Sequence, residues 1–284
     1  MRTRVTESDL DLGDGRRLHV YDTVTDGAED SLPVFWHHGT PNLGAPPRPL
    51  FAAAERLGLR WVSYDRPGYG GSTPAPGRDI ASAARYTSAV ADALGIRRFA
   101  AVGHSGGGPH ALACAALLPD RVVGAVSAAG MAPLGAEGLD WFADMAASGV
   151  ASLRAAARGR EEKERHEASD IVYDPEFTPA DEAALSGAWS WFGEVVGPAK
   201  DQGPGGLIDD DLSYVTPWGF DPALITVPLL LLHGGRDRVI PPAHARWLTA
   251  HCPTAELRLA PDEGHISVLN AAEDALAWLA ARPR

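Results

Sequence analysis

Apolar positions in this chain cluster into short, unbroken runs separated by stretches of helical spacing. LHVY from Leu18, VFWH from Val34, WVSY from Trp61, FAAV from Phe99, VVGAV from Val122 and LLLL from Leu229 have the length and side-chain type of strands, and AELRLA from Ala255 reads as a late one. Helical composition fills the stretches near 49–57, 79–94, 107–118 and 242–250. Continuous apolar runs, rather than alternating ones, predict strands covered on both faces. Strands alternating with helices predict crossover units and a mostly parallel sheet of the α/β class.

The rhythm stops after about residue 131 and resumes near 227. The expected division is a core domain made of 1–131 and 218–284, with a mainly helical cap at 132–217. The stretch between about 131 and 227 carries Trp141, Trp189, Trp191 and Trp218, which either pack locally or wall a pocket; Trp141, Trp189 and Trp191 are the candidate substrate contacts. The charged run RGREEKERHE from Arg158 reads as a solvated helix face, and Asp209, Asp210 and Asp211 as a solvated edge of the cap.

Composition narrows the function. A chain of 284 residues, 45% apolar, suffices for one large core with an insertion. Twenty-five basic against 37 acidic residues leave a net charge of −12, which argues against nucleic acid or an anionic membrane as partner and leaves a small-molecule substrate as the expected one. Cys114 and Cys252 have neither C-x-x-C nor zinc spacing, so no disulfide framework is expected. The stretch MRTRVTESDLDLGDG lacks the apolar centre of an export signal, and no run approaches the length of a membrane span; the expected location is cytoplasmic. Neither H-E-x-x-H nor a carboxylate cluster with ligand spacing is present, so no metal is expected.

The stretch AVGHSGGGPH, residues 101–110, raises the question of chemistry. Phe99 to Val102 supplies a strand and Gly107 onward a helix; between them GHSGG, from Gly103 to Gly107, fits the G-x-S-x-G nucleophile elbow. So sharp a reversal strains the central residue and brings together the positions two before and two after it, where only very small side chains fit. Ser105 then stands above the sheet, with the backbone N–H of Gly106 facing any negative charge that develops beside it. A dinucleotide loop is the rival reading, but it needs a glycine where Ser105 stands.

Serine needs a general base, and the base needs an anion to orient it; on this kind of sheet the acid and then the base follow the serine in the chain. Of ten histidines, most fall within strands or helices, whereas His265 follows the late strand Ala255 to Ala260 across the turn PDEG. It lies at the C-terminal strand edge, where open α/β sheets place their sites. Asp237 occupies the equivalent loop after Leu229 to His233. Asp262 competes, but three residues from His265 on one turn it is poorly placed to meet the ring nitrogen facing away from the serine. A second oxyanion donor is expected from FWHHGTP, Phe35 to Pro41, where Gly39 lets the next peptide turn inward; Pro41 cannot donate, which leaves the backbone N–H of Thr40.

With its elbow, later acid and base, HGTP at His38 to Pro41 and DRPGYGGS at Asp65 to Ser72, the chain resembles the α/β-hydrolase superfamily, specifically its capped members with a His-Gly-x-Pro oxyanion loop. The resemblance implies an eight-stranded, mostly parallel sheet, a helical cap between the sixth and seventh strands, and a cofactor-free serine hydrolase. Ser105 stands where epoxide hydrolases and haloalkane dehalogenases of this group carry aspartate, and Gly106 where proline iminopeptidases usually carry tryptophan. Esterases, lactonases, C–C hydrolases and cofactor-free perhydrolases share the serine pattern. Hydrolysis of an ester-like substrate is the expectation; a non-hydrolytic small-molecule receptor, or a lyase or oxygen-chemistry enzyme using His265 and Asp237 as base, are the rivals.

Overall fold

The computed structural model describes residues 4–13, 15–24 and 30–283. Among these, β1 (Arg4–Asp11), β2 (Arg17–Val24), β3 (Leu32–His37), β4 (Leu59–Tyr64), β5 (Phe99–His104), β6 (Val122–Ala128), β7 (Leu229–Gly234) and β8 (Ala255–Ala260) form one sheet in the order β1-β2-β4-β3-β5-β6-β7-β8. The strands from β3 to β8 are parallel; β1 and β2 pair antiparallel at one edge. In chain order the helices are α1 (Phe51–Arg56), α2 (Ser82–Ala93), α3 (Gly107–Leu117), α4 (Ala147–Ala157), α5 (Arg160–Glu167), α6 (Pro179–Ser186), α7 (Phe192–Asp201), α8 (Gly205–Val215), α9 (Ala243–His251) and α10 (Ala272–Ala280). None is long and apolar enough to cross a membrane.

Two apolar layers explain why the runs are continuous. Leu229 and Leu231 enter the layer built with α2, α3 and α9, while Leu230 and Leu232 enter the layer built with α1 and α10. A strand buried on both faces gains from an apolar residue at every position. β1 escaped that pattern because RVTESDLD buries neither face and pairs only with β2.

The segment 132–217 carries α4 to α8, and its tryptophans fasten it to both layers. Trp141 joins the first, as does Trp218 just beyond the segment, with Trp141 Nε1 donating to the Ala132 carbonyl at 2.7 Å; Trp189 and Trp191 join the second. The large indole surface is spent on anchoring. The charged run from Arg158 is largely a solvated face, with Glu161, Glu164 and Arg165 exposed, but the middle residue of α5, Lys163, is fully buried, 2.6 Å from Asp211 and from Glu167. The expected solvated edge of the cap is corrected. Asp209, Asp210 and Asp211 are all buried as well: Asp209 pairs with Arg160, and Asp210 with Arg66 and Arg78. A buried charge needs a fixed partner, and each of these has one.

Several histidines are buried in forms that require the neutral ring. His38 Nε2 accepts the Arg66 N–H at 3.0 Å, and His244 Nδ1 accepts the Ala132 N–H at 3.2 Å. Burial pushes His37 and His104 down to about 3 and His244 to about 4. An unfolded imidazole takes up its proton near pH 6.5. Between that pH and the lowered values the unfolded chain therefore binds more protons, so stability is full above pH 6.5 and falls as the pH falls. Each such ring removes about 1.4 kcal/mol per pH unit through that window. Urea unfolding at pH 7, 6 and 5 is expected to show a steep loss between the last two; a flat profile would contradict the neutral buried rings.

Candidate active site

The elbow is as tight as its glycines suggest. Ser105 has φ 55°, and its N–H donates to the Ala128 carbonyl at the end of β6 at 2.8 Å. A Cβ on Gly103 would collide with the Gly107 carbonyl, and one on Gly107 with the carbonyl of His37. The strained serine is thus locked between β3 and β6 at the first turn of α3.

The structure brings the three distant candidates together. His265 Nε2 lies 2.8 Å from Ser105 Oγ, and His265 Nδ1 lies 2.8 Å from Asp237 Oδ2. The other oxygen of Asp237 accepts the N–H groups of Val239 and Ile240 at 2.8 and 2.9 Å, so the loop after β7 aims the carboxylate. With Nδ1–H given to that carboxylate, the Nε2 lone pair faces the serine hydroxyl, the arrangement needed for proton removal. Asp262 points elsewhere: it is exposed and pairs with Arg236 at 2.6 Å. Beside the ring, His104 donates from Nε2 to the His265 carbonyl at 3.0 Å.

Thr40 and Gly106 line the same cavity as Ser105 and His265. A buried carboxylate that no local sequence pattern announced organises their surroundings. Asp210, on α8, accepts from Arg66 Nε at 3.0 Å, Arg66 Nη2 at 2.6 Å, Tyr69 Oη at 2.8 Å and the Thr40 hydroxyl, and pairs with Arg78. Arg66 also donates to the carbonyls of His38 and Gly39, the backbone that leads into Thr40. Burial opposes the charge on Asp210, but the two guanidiniums outweigh it and hold the carboxyl well below its usual range. One turn further along α8, Tyr214 Oη lies 2.7 Å from the Thr40 hydroxyl and donates to the Gly106 carbonyl at 3.1 Å. That hydroxyl explains Gly106: a Cβ there would collide with it.

Above Ser105 opens a cavity of about 830 Å³. Phe177, Leu185, Phe192 and Val196 form an apolar wall, and Ser148, Ser152 and Asp211 a polar one. Trp141, Trp189 and Trp191 do not line it, which corrects the expected pocket: they are spent in the two core layers, and smaller apolar residues of α6 and α7 face the space instead. Among the described residues no group of three or more His, Cys, Asp or Glu is placed to hold a metal ion.

An elbow serine on a mostly parallel sheet, linked through histidine to aspartate beneath a helical insertion, defines a class of fold. The family model for the alpha/beta hydrolase fold matches residues 33–272, and the chain belongs to that family. It is 37% identical over 113 residues to the non-heme chloroperoxidase of Streptomyces lividans, a match covering 38% of this chain and 40% of that protein. It is 28% identical over 228 residues to the dihydrolipoyllysine-residue acetyltransferase component of the acetoin cleaving system of Cupriavidus necator, covering 75% of this chain and 53% of that one. The chain thus spans about half or less of the length of these curated relatives. Among solved structures, a hydrolase from Pseudomonas aeruginosa shares the fold with a TM-score of 0.68 at 23% identity, over 97% of this chain and 98% of that one.

Removing the Asp210 carboxylate leaves Arg66 and Arg78 buried without their anion. Asp210→Ala is expected to cost about 3–5 kcal/mol in urea unfolding. A loss below 1 kcal/mol would mean that solvent reaches these groups.

Proposed function

We propose that this protein is a serine hydrolase that cleaves an ester-like small molecule, a carboxylester or a lactone, through an acyl-enzyme. The observation that carries the reading is the unbroken hydrogen-bonded chain from Ser105 through His265 to Asp237 at the floor of a cavity able to hold a substrate. Ser105 Oγ attacks the carbonyl carbon as His265 Nε2 takes its proton, and Asp237 stabilises the imidazolium that results. The backbone N–H groups of Thr40 and Gly106 hold the oxyanion. Collapse of the tetrahedral intermediate breaks the C–O bond, and the departing alkoxide oxygen takes the proton from His265; in a lactone it stays tethered to the acyl chain. Water, deprotonated by His265, then attacks the acyl carbon, and Ser105 leaves with that proton. No cofactor takes part in this cycle.

The wall of Phe177, Leu185, Phe192 and Val196 supports a substrate with an apolar moiety. Two free, buried cysteines, Cys114 and Cys252, agree with a cytoplasmic setting, which belongs to the same proposal. A second reading draws on the similarity to the chloroperoxidase of Streptomyces lividans. Hydrogen peroxide in place of water at the deacylation step would release a peracid from the same acyl-enzyme.

Turnover of p-nitrophenyl esters from acetate to decanoate, and of lactones, separates these readings. Ser105→Ala is expected to lower kcat by several orders of magnitude, and Asp237→Asn by about 10⁴-fold. A fluorophosphonate should label the wild type and not Ser105→Ala. An unlabelled wild type would favour a receptor, and turnover retained without Ser105 would favour a base-only enzyme. Peracid formation on adding peroxide would select the second reading.

A further inference from the structure

Asp181 lies in the first turn of α6, where it closes a capping box with Thr178, and is 1% exposed. Its Oδ1 accepts the backbone N–H groups of Ile266 and Ser267, each at 2.8 Å. These are the two residues that follow His265. Its Oδ2 accepts the N–H of Thr178 at 3.0 Å and the hydroxyl of Thr178 at 2.9 Å, so four donors converge on one carboxylate. On the other side of His265, Gly264 packs so closely that a Cβ there would overlap the carboxylate of Asp181. The insertion thus touches the chain both before and after the imidazole-bearing residue.

Apart from the bond of the His265 ring to Asp237, the residues on either side of the imidazole have weaker ties. Gly264 N–H donates to Ser267 Oγ at 2.8 Å within the loop, and the His265 carbonyl accepts from His104. Hydrogen bonds to an ionised carboxylate are roughly twice as strong as neutral ones. Burial raises the Asp181 carboxyl, yet the donors from Ser267, Thr178 and Ile266 outweigh it and keep the group below its usual range, in the form that accepts all four bonds.

We propose that Asp181 is a positioning residue for the base: it fixes the backbone after His265 so that Nε2 stays within reach of Ser105 and Nδ1 within reach of Asp237. Through this side chain the insertion sets the competence of the triad, besides lining the cavity. The inference rests on the serine-hydrolase reading for its kinetic consequence, though not for its geometric one.

Three variants test it. Asp181→Ala is expected to lower kcat on a p-nitrophenyl ester about 10- to 100-fold with KM little changed, the scale of a small misplacement of a reacting group. Asp181→Asn, which keeps one oxygen for the two N–H groups, should lower kcat less. Thr178→Val removes the side-chain bonds at the start of α6 and leaves Oδ1 of Asp181 in place; it should lower the melting temperature without moving kcat. Equal losses of kcat in Thr178→Val and Asp181→Ala would reduce Asp181 to a helix cap and overturn the proposal. Should Asp181→Ala not fold, an unchanged kcat in Asp181→Asn would overturn it equally. The far-downfield proton resonance of His265 Nδ1–H gives a readout independent of turnover. It should broaden or shift in Asp181→Ala and Asp181→Asn and persist in Thr178→Val. If the wild type proves inactive on every ester, the hydrolase reading fails, while this resonance still decides the positioning role.

Discussion

Parallel strands end on a common rim, and every group of the candidate site hangs from it. Thr40 follows β3, Ser105 follows β5, Asp237 follows β7 and His265 follows β8. The strand ladders set the spacing: β3 pairs with β5, β5 with β6, β6 with β7 and β7 with β8, so their neighbouring carboxyl ends stay within reach of one another. Apolar layers on both faces hold the sheet rigid, and only the short loops beyond its edge remain to be aimed.

Aiming those loops falls largely to the insertion. Asp210 of α8 grips Arg66, which in turn holds the carbonyls leading into Thr40. Asp181 of α6 holds the backbone beyond His265. The loop of Asp237 is fastened as well: the Ala146 N–H donates to the Arg238 carbonyl at 2.7 Å, and Glu176 pairs with the Arg238 side chain at 3.0 Å. Desolvating Asp210 and Asp181 is costly, which gives their donors no alternative arrangement of similar energy. Glu176 and Arg238 are partly exposed and contribute less.

The cavity inherits its polarity from the same arrangement. α6 and α7 turn Leu185, Phe192 and Val196 inward; α4 and α8 turn in Ser148, Ser152 and Asp211. Lys163 neutralises much of the Asp211 charge from behind, so the polar wall is a network already tied to its own counter-ion. The space above Ser105 is thus lined by both hydrocarbon and hydrogen-bonding groups.

What the chain discloses by itself is what short-range pattern encodes. Short apolar runs announced the strands from β2 to β7, AELRLA announced β8, and the elbow announced Ser105, because a strand, a strained turn and a helix occupy one contiguous stretch. Asp237 and His265 were legible because each follows an apolar strand, and parallel topology sends both to one rim. β1 was not, since an edge strand with no buried face carries no apolar signal. Nor were the fates of the tryptophans: an amphipathic insertion shows that large rings are buried, while only packing decides whether they meet the core or a substrate. Arg66 and Asp210 are 144 residues apart, and Asp181 and Ile266 85 apart. Bonds across such separations leave no local period, so an aspartate that anchors a distant backbone and one that merely faces water look alike until the chain is folded.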